Sequence, residues 1–565
     1  MKQLIECVPN FSEGRDPAVI QQITDAIQAV EGVNLLDVDP GKATHRTVVT
    51  FVGEPQAVTE AAFRGIQKAA ELIDMRQHQG EHPRMGATDV CPLIPIAGIS
   101  MEETVAWARQ LGERVGRELG IPVYLYEAAA SRPERKNLAT IRAGEYEGLP
   151  DKLKDPEWTP DFGPAAFNPQ SGATVIGARD FLIAYNVNLN TTSVRRANAV
   201  ALDVREKGRL LREGDPITGK IMTDEQGQPL RRPGLLQGVK AIGWYIEEYG
   251  IAQISMNLTD IRATPLHEAF EACCQSAESR GMRVTGSELV GLVPLSAMLE
   301  AGRHFLRKQQ RSAGVSDAEL IKIAVKSMGL DDLAPFDPNR KIIEYNIAQD
   351  DPRSHKKLIR QSLAAFADET ASESTAPGGG SVSAYVGALA AALATMVANL
   401  SAHKRGWDDR WAFFSQAAED GQQIKNALLR AVDEDTDAFA AIMAALGMPK
   451  SSDAEKAART KAVQAATLRA MEVPKSVMHL ALEAFPLIRK MVEHGNPNSI
   501  TDAGVGALCA RAAVVGAALN VKVNATGLDD QPLAQQFVAD ADACILRAEA
   551  EEQEIIRMVK EKMGV

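Results

Sequence analysis

The segment from Arg76 to Pro95 gathers side chains that can carry acid–base chemistry. It reads RQHQGEHPRMGATDVCPLIP, and its glycines and prolines interrupt any continuous helix between two apolar stretches. Titratable residues on a loop between regular elements are often the ones that react. We predict His82 as the proton acceptor, because a neutral imidazole takes up a proton near pH 7. Arg76 or Arg84 is predicted to hold an anionic substrate.

The pair His78 and His82 also has a metal-site interpretation. Residues four apart share one face of a helix and could ligate zinc together. Gly80 and Pro83 argue against a helix there, and no cysteine or carboxylate cluster completes a ligand set. We therefore predict no metal. A loop histidine that only forms hydrogen bonds or contacts water is the alternative to a catalytic one.

A second polar group lies in the last third of the chain. The segment TAPGGGS at 375–381 directly precedes a helix rich in small residues. A helix N-terminus attracts anions, and glycines let a ligand approach the backbone closely. A flexible cap before the helix is the alternative interpretation. Amide-rich turns at 495–504 and 520–525 can hydrogen-bond a polar heterocycle.

Three aspartates alternate in the segment VDEDTDAF, at positions 433, 435 and 437. Residues two apart cannot all face one direction on a helix, so a solvated acidic surface is the usual interpretation. Phe439, Ile442 and Met443 are predicted to belong to a buried stripe. Asp435, four residues before Phe439, should lie close to that stripe, where burial raises the pKa of a carboxyl into the acid–base range.

Composition limits the classes of function. A length of 565 residues calls for roughly two to four domains. The net charge of -12, without a basic tract, argues against nucleic-acid binding. Six scattered cysteines are predicted to be reduced, buried thiols. No signal-peptide pattern is present, and no apolar run is judged long enough to span a membrane, so we expect a cytoplasmic protein.

Periodicity predicts the elements that position these residues. Up to residue 126 the chain reads β-α-β-β-α-β-α-β, which indicates a sheet with helices largely on one face. Proline and glycine are taken to exclude regular structure from 151–179, which is either a ligand-covering or a domain-bridging loop. A strand at 181–189 and the helix after it form a weak internal repeat of the N-terminus. The predicted fold class is α+β, with two αβ-sandwich lobes of ferredoxin-like type, followed by an all-α helical bundle beyond residue 350.

Several long motifs carry a resemblance to known enzymes. ECVPNFSEGRD, the DVD and HRTV pair, GEHPRMGATDVCP, GPAAFNPQSGATVIGAR and SELVGLVPL together resemble glutamate formiminotransferase. PGGGSVSA, VDEDTDAF, GNPNSITDA and NVKVN resemble formiminotetrahydrofolate cyclodeaminase. Their order resembles the bifunctional fusion family over nearly the whole chain. The resemblance implies two formiminotransferase subdomains at 1–180 and 181–327, a linker at 328–350, and a cyclodeaminase domain at 351–565.

The resemblance implies a two-step folate reaction in histidine degradation. Transfer of a formimino group from formiminoglutamate to tetrahydrofolate, a polyglutamylated co-substrate, would release glutamate, and ring closure to 5,10-methenyltetrahydrofolate would release ammonia. His82 matches the family's catalytic histidine, and Asp39 is a candidate to orient or assist it. Arg84 is our own inference for the glutamate carboxylates. Asp435 fits the catalytic aspartate best, with Asp433 as the second choice.

The remaining site assignments also follow from the matched motifs. Folate or substrate contacts are expected from one lid loop and three helical-domain motifs, namely Gly163, Pro164, Ala165, Ala166, Phe167, Asn168, Pro169, Gln170, Ser171, Gly172, Gly378, Gly379, Gly380, Ser381, Asn496 and Asp502. The family implies no metal, small-molecule substrates, and a homo-oligomeric ring built from dimers, with an octamer as one form. The segment 208–237 looks longer than in the family and is predicted to be a surface hairpin.

Two alternatives stay open from the sequence. A formyl rather than formimino donor differs by one hydrogen-bonding atom, and we identify no residue that would decide between them. A retained cyclodeaminase domain argues against that donor, because a formyl product has no ammonia to lose. A folate-binding scaffold without catalysis is the second alternative, and intact His82 and Asp435 argue against it.

Overall fold

The computed structural model describes residues 3–42, 44–80, 83–215, 218–350 and 357–565. The chain forms two compact units, Met1–Met298 with Met328–Asp350, and Leu299–Ser327 with Asp351–Val565. This division groups 299–327 with the helical unit, whereas the sequence analysis assigned these residues to the second formiminotransferase subdomain. The functional domain limits stay a prediction.

The first lobe of the first unit is a mixed sheet with helices. Its elements are β1 (Leu4–Cys7), β2 (Asn10–Phe11), α1 (Pro17–Gln28), β3 (Val33–Gly41), β4 (Arg46–Gly53), α2 (Pro55–Leu72), β5 (Thr88–Ala97), α3 (Met101–Leu119), β6 (Val123–Glu127), α4 (Leu138–Arg142), α5 (Glu145–Lys152) and β7 (Thr174–Ala178). In the described residues the strand order is β3-β4, then β1 and β2, then β5-β7-β6. The predicted helix starts are confirmed: Asp16 caps α1, and Ser100 with Glu103 forms a capping box on α3.

The alternation of side chains along the central strands gives the sheet two different faces. Val49 and Phe51 on β4 are fully buried in the same core as Ile5 and Cys7 on β1, against helix α2. The residues between them in sequence point the other way, because successive side chains of a strand alternate. The opposite face is therefore available for a site.

Strand β7 corrects the prediction that 151–179 has no regular structure. Thr174–Ala178 is fully buried and pairs in parallel with both β5 and β6. A parallel strand that is covered on both faces has a short, continuous run of small and β-branched residues, here TVIGA, instead of an alternating pattern. The strand was missed because the glycines and prolines that precede this run were taken as evidence against regular structure in the whole segment.

The second lobe repeats the topology of the first. Its elements are β8 (Ile183–Leu189), α6 (Val194–Val204), β9 (Arg209–Leu210), β10 (Arg231–Arg232), β11 (Val239–Ile246), β12 (Ile251–Leu258), α7 (Leu266–Glu278) and β13 (Val284–Val290). The order β11-β12-β8-β13 is antiparallel throughout. The first strand of this lobe, β8, lies between β12 and β13, just as β1 lies between β4 and β5 in the first lobe. The predicted surface hairpin in 208–237 is confirmed as the β9–β10 pair.

The rest of the described chain is helical. It contains α8 (Leu295–Lys308), α9 (Asp317–Met328), α10 (Pro338–Lys341), α11 (Ile343–Asp350), α12 (Leu363–Thr370), α13 (Gly379–Ala402), α14 (Trp411–Leu446), α15 (Asp453–His494), α16 (Ile500–Ala525) and α17 (Gln531–Met563). Beyond residue 357 the core is dominated by alanine, and it is shared by α13 to α17. The predicted all-α C-terminal region is confirmed.

Two helices in the described residues correct the expectation about apolar length. Gly379–Ala402 and Pro497–Ala525 are both long and apolar enough to cross a membrane. In their most apolar windows 61% and 50% of residues are buried inside the protein. Alanine and glycine explain both properties, since they raise hydropathy and also let helices pack closely within a bundle.

Candidate functional sites

A cavity of about 390 Å³ opens on the face of the first sheet opposite helix α2. It lies between that face and residues of the second lobe, all within the first compact unit. Charged or polar side chains supply much of its lining, namely Glu6, Asn10, Asp37, Asp39, Arg46, Thr50, Tyr126, Arg142, Arg179 and Asn257. Such a concentration of titratable groups in one cleft is typical of a catalytic site.

Glu6 is the most perturbed carboxyl of this cavity. It is 3% exposed and lies between Ile5 and Cys7, whose side chains face the opposite, apolar core. Burial raises the pKa of Glu6 to about 7, although the nearby Arg179 guanidinium acts to lower it. A carboxyl with this pKa can accept or donate a proton near neutral pH. The sequence analysis did not predict Glu6 as a site residue. The feature that could have indicated it is a charged residue within the otherwise apolar strand LIEC.

We expect Glu6→Gln to stabilise the protein at alkaline pH. Unfolded Glu6 ionises near pH 4.5 and folded Glu6 near 7, so the wild type loses stability as pH rises through this window. The loss is about 3 kcal/mol, and glutamine avoids it because it stays neutral. Unfolding midpoints at pH 4.5 and pH 8 measure the effect, with the exposed Glu102→Gln as control. Equal pH dependence in Glu6→Gln and wild type would contradict the assignment.

The predicted Asp39 lies in the same cavity, next to Asp37. Burial, with a contribution from the Asp39 charge, raises the pKa of Asp37. Arg46 also lines the cavity, and burial lowers its pKa while Asp89 opposes that effect. Arg142 forms an ion pair with Asp89, whose carboxyl is fully buried. The cleft therefore combines carboxylates with several guanidinium groups.

The predicted base His82 and its neighbour Glu81 lie outside the described residues. The flanking residues are placed against β4. Gly80 has the Thr44 carbonyl and the His45 side chain so close that any side chain would clash with them. The rings of His45 and His78 stack at 4.3 Å between centroids. The N-terminal part of the predicted loop is thus fixed near the start of β4.

His78 is held as a neutral imidazole. Its Nε2 donates to the His45 carbonyl at 2.8 Å, and its Nδ1 accepts from Arg84 Nε at 3.2 Å. Burial lowers the pKa of His78, which agrees with one donor and one acceptor nitrogen. Both ring nitrogens are engaged, so the geometry gives no support to a zinc site on His78.

Arg84 occupies a place different from the one we inferred for it. Its guanidinium is buried and binds Glu147 at 2.6 Å and Glu145 at 3.0 Å, both from α5. Two protein carboxylates already use the donors that a substrate carboxylate would need. Arg76 is likewise paired with Asp74. The assignment of Arg84 to substrate stays a prediction that this geometry does not favour.

The predicted folate loop, residues 163–172, packs beside the Arg76–Pro95 segment. Gly86 pairs with Gly172, and the Ala87 N–H donates to the Ser171 carbonyl. At the other side, Tyr146 donates to the Pro169 carbonyl and contacts the Phe167 ring. Residues 163–166 are exposed. The loop is anchored at its end and uncovered at its start, as a ligand-covering loop would be.

In the helical unit, Asp435 meets the glycine-rich segment. Ser381 Oγ donates to the Asp435 carboxylate at 3.0 Å and lies 3.2 Å from Thr436 Oγ1. A Cβ at Gly380 would lie 2.1 Å from the Asp435 oxygen, so only glycine allows this approach. Burial raises the pKa of Asp435, and hydrogen bonds from Ser381 act to lower it. The carboxyl of Asp435 is thus placed at the first turn of α13.

Asp433 has a structural partner instead. Its Oδ1 accepts the Leu358 N–H at 2.8 Å and thereby caps the short 3-10 helix Leu358–Arg360. Burial raises its pKa, while the backbone N–H groups of Leu358 and Ile359 act to lower it. The two aspartates that the sequence could not separate therefore have different surroundings.

The predicted buried stripe next to Asp435 is wrong at Phe439 and Met443, whereas Ile442 is partly buried against Ala438, Ala470 and Val473. Phe439 is 39% exposed and Met443 is 52% exposed. The end of α14 packs against few other residues of the described chain. Within it, only Ala438, Ile442 and Ala445 are more buried than Phe439 and Met443. Asp435 is partly buried for another reason, namely that the N-terminus of α13 packs onto it. The helical periodicity was correct, but tertiary contacts decide which face is covered.

Comparison with known proteins identifies the family. Residues 4–179 match the family described as formiminotransferase domain, N-terminal subdomain, residues 184–348 match formiminotransferase domain, and residues 362–543 match formiminotransferase-cyclodeaminase. The chain is 44% identical over 530 residues to the formimidoyltransferase-cyclodeaminase of Rattus norvegicus, with 94% of each chain covered. The chain belongs to the formimidoyltransferase-cyclodeaminase family.

Relatives of the separate halves also match. A glutamate formimidoyltransferase of Streptococcus pyogenes serotype M1 is 41% identical over 307 residues, which cover 54% of this chain and 94% of that protein. A methenyltetrahydrofolate cyclohydrolase of Methylorubrum extorquens is 37% identical over 204 residues, 36% of this chain and 98% of that protein. Within the formimidoyltransferase-cyclodeaminase family, each half thus has relatives that occur alone.

Two family-motif residues lie far from Asp435 in this member of the family. The Asn496 N–H donates to Ser401 Oγ at the last turn of α13, and Asp502 begins the next helix. Ser401 is about 30 Å along the helix from Ser381. Asn520 is closer to the glycine segment, with its Nδ2 3.6 Å from a Cβ placed on Gly379. Within one chain, Asn520 therefore lies near the glycine-rich segment that contacts Asp435, whereas Asn496 and Asp502 lie at the other end of α13.

One cluster in the described residues has the composition of a metal site. His479, Asp540 and Cys544 offer ligand atoms within 4.8 Å of one another on α15 and α17. Lys475 Nζ lies 3.4 Å from Asp540, and His479 Nε2 lies 2.9 Å from it. These contacts give Asp540 partners without a metal ion. The expectation of no metal stays a prediction.

Proposed function

We propose that the chain catalyses both reactions of a formimidoyltransferase-cyclodeaminase in histidine degradation. The first reaction transfers the formimino group of formiminoglutamate to tetrahydrofolate and releases glutamate. The second converts 5-formiminotetrahydrofolate to 5,10-methenyltetrahydrofolate and ammonia. The relatives that match over nearly the whole chain carry the proposal, because both enzyme names occur together in them. Tetrahydrofolate is the co-substrate, and its polyglutamylated form is part of the proposal.

The polar cleft of the first unit is proposed as the transferase site. His82 takes the proton from the attacking pterin nitrogen, which bonds to the formimino carbon. The bond from that carbon to the glutamate nitrogen then breaks, and that nitrogen needs a proton. Glu6, buried in the cleft with a pKa raised to about 7, is the proposed proton carrier for this step, with Asp39 beside it.

Arg46 and Arg179 are proposed to bind the two carboxylates of formiminoglutamate, in place of Arg84. Both line the cleft, whereas Arg84 is not among its lining residues and binds glutamates of α5. Guanidinium groups bind carboxylates in two-bonded geometry, and a partly buried site strengthens the interaction. The loop 163–172 is proposed to cover the bound folate.

The N-terminus of α13 is proposed as the cyclodeaminase site. The second folate nitrogen attacks the formimino carbon and its own proton passes to the formimino nitrogen; the bond from this carbon to the formimino nitrogen then breaks as ammonia leaves. Asp435 donates the proton that the departing nitrogen needs, since burial favours its protonated form. Ser381 orients the carboxyl through its hydrogen bond at 3.0 Å.

The test is an absorbance assay for the methenyl product. Purified protein, tetrahydrofolate and formiminoglutamate are mixed, and ammonia and glutamate are quantified in parallel. We expect methenyl product and ammonia in equal amounts. Glutamate release without ammonia would show that the chain lacks the second activity. No turnover at all would favour a folate-binding scaffold without catalysis. A methenyl signal that forms and then decays enzymatically would point to the cyclohydrolase activity named in the shorter relative.

Three further features belong to the same proposal. Each lobe is proposed to be a ferredoxin-like sandwich, supported by the β-α-β-β-α-β order and the shared strand order. A homo-oligomeric ring built from dimers, an octamer in one form, is supported by exposed Leu389, Leu400, Leu519 and Val523 on α13 and α16. A cytoplasmic protein without resident metal or membrane span is supported by the scattered free cysteines and the burial of the two apolar helices.

A further inference from the structure

A second cavity, of about 500 Å³, is lined almost entirely by arginine and small apolar residues. Its lining consists of Arg195, Arg196, Asn198, Ala199, Leu202, Arg205, Arg209, Leu210, Arg212 and Arg231. Among the described residues no carboxylate lines it. We call it the arginine cavity. Such a concentration of like charge is unusual in a chain whose net charge is -12.

The secondary structure explains why these arginines converge. Arg195 and Leu202 fall on one stripe of α6, since they are separated by about two turns of helix, and Arg205 follows directly at its C-terminal end. The β9–β10 pair then places Arg231 directly opposite Leu210. Arg231 is close enough to Arg205 for its charge to contribute to lowering the pKa of Arg205. Two separate elements thus present their cations to one space.

The positive charge of the cavity is only partly neutralised. Arg209 pairs with Asp203, and this aspartate also binds Arg280. Arg205 and Arg212 donate to the carbonyls of Gly208 and Gly219, which are neutral acceptors. Holding like charges together costs free energy, which an anionic ligand would recover.

The arginine cavity lies away from the catalytic cleft. Gly243 on β11 packs against the backbone of Ala197 and Asn198 of α6. On the neighbouring strand β12, the residue paired with Gly243 is Ile254, so both residues face the same side of the sheet. Helix α6 therefore covers the sheet face that carries Ile254. Asn257, three residues further along the same strand, lines the catalytic cleft from the opposite face. The four-stranded sheet separates the two cavities.

We propose that the arginine cavity binds a small organic anion that carries two or more phosphate or carboxylate groups on an apolar body. Guanidinium forks match both kinds of oxyanion through paired hydrogen bonds. Leu202, Leu210 and Ala199 provide the apolar contacts. A cavity of this size accommodates a ligand as large as a nucleotide. Arg209, Leu210, Arg212 and Arg231 of the lining come from the 208–237 segment that the sequence marked as unusually long.

Isothermal titration calorimetry on the full chain tests the proposal, with ATP and benzene-1,3,5-tricarboxylate as probes at 0.15 M salt. We expect saturable binding of at least one probe, and the tighter of the two identifies phosphate or carboxylate as the preferred group. The double variant R195Q/R231Q should weaken binding roughly tenfold for each arginine removed. The matched control K207Q/K220Q removes two exposed charges of the same lobe that do not line the cavity, and should bind as the wild type does.

Three results would overturn the proposal. They are no binding of either probe, unchanged binding in R195Q/R231Q, and equal weakening in the control. Circular dichroism and methenyl-forming activity report whether the variants fold, since none of the four positions lies in either proposed catalytic site. The measurement is independent of the proposed function, because it reads binding and not turnover.

Discussion

Replacing Asp435 by asparagine is expected to abolish cyclodeamination and leave formimino transfer intact. The amide cannot donate the proton that the departing ammonia requires, and loss of a general acid costs roughly 100- to 10,000-fold in rate. Asparagine keeps the volume of the side chain and can still accept from Ser381 Oγ, so the contact at the first turn of α13 is preserved. The assay is ammonia release from supplied 5-formiminotetrahydrofolate, with glutamate release from formiminoglutamate measured in the same preparation.

Asp433→Asn is the matched control for this prediction. It removes the same charge two residues away, but its oxygen can still cap the 3-10 helix at Leu358. We expect an activity within about threefold of wild type, because a cap affects stability and not the reacting atoms. If Asp433→Asn loses ammonia release and Asp435→Asn retains it, the assignment of the two aspartates is reversed.

Replacing His82 by alanine is expected to eliminate formimino transfer and to spare cyclodeamination. Without the imidazole, His78, the other histidine of the segment from Arg76 to Pro95, does not take its place, since it already has both ring nitrogens engaged. The expected loss is again roughly 100- to 10,000-fold in kcat of glutamate release. Methenyl formation from supplied 5-formiminotetrahydrofolate should continue at the wild-type rate.

The exposed Gln79→Ala in the same segment controls for a general disturbance of the loop. It should keep both activities. A folded His82→Ala variant that lost both activities would show that the two sites are not separable as proposed. A variant that kept transfer would assign the base to another group, with Glu6 as the first to examine because its pKa is raised to about 7.

Local sequence signals predicted most of the elements correctly: Asp16 before Pro17 indicates a helix start, Ser100 with Glu103 indicates a capping box, and the β-branched runs on either side of GKATH indicate a hairpin. The cap at Asp16, the capping box at Ser100 and the β3–β4 hairpin are confirmed, because each depends on residues close together in the chain. Strand β7 was missed, since a strand buried on both faces has no alternating pattern. The stripe at Phe439 was wrong because periodicity identifies a face without identifying its partner.

The catalytic cleft was only partly predictable. Asp39 lies in it as the motif suggested, but Glu6, Arg46 and Arg179 come from three strands or strand ends that are distant in sequence. Their convergence depends on strand order and on the alternation of side chains, which no short motif encodes. The pairing of Arg84 could not be predicted for a similar reason, since its partners Glu145 and Glu147 lie about sixty residues away.

The sequence alone determined the family, the two reactions and the division into an α/β part and a helical part. Long motifs and helix or strand periodicity are local, so they can be recognised without coordinates. Only the tertiary structure decided which carboxyls and arginines share a cavity, and which of Asp433 and Asp435 meets the glycine-rich turn. Burial and hydrogen-bond partners set the pKa of a group, and both arise from contacts between segments far apart in the chain.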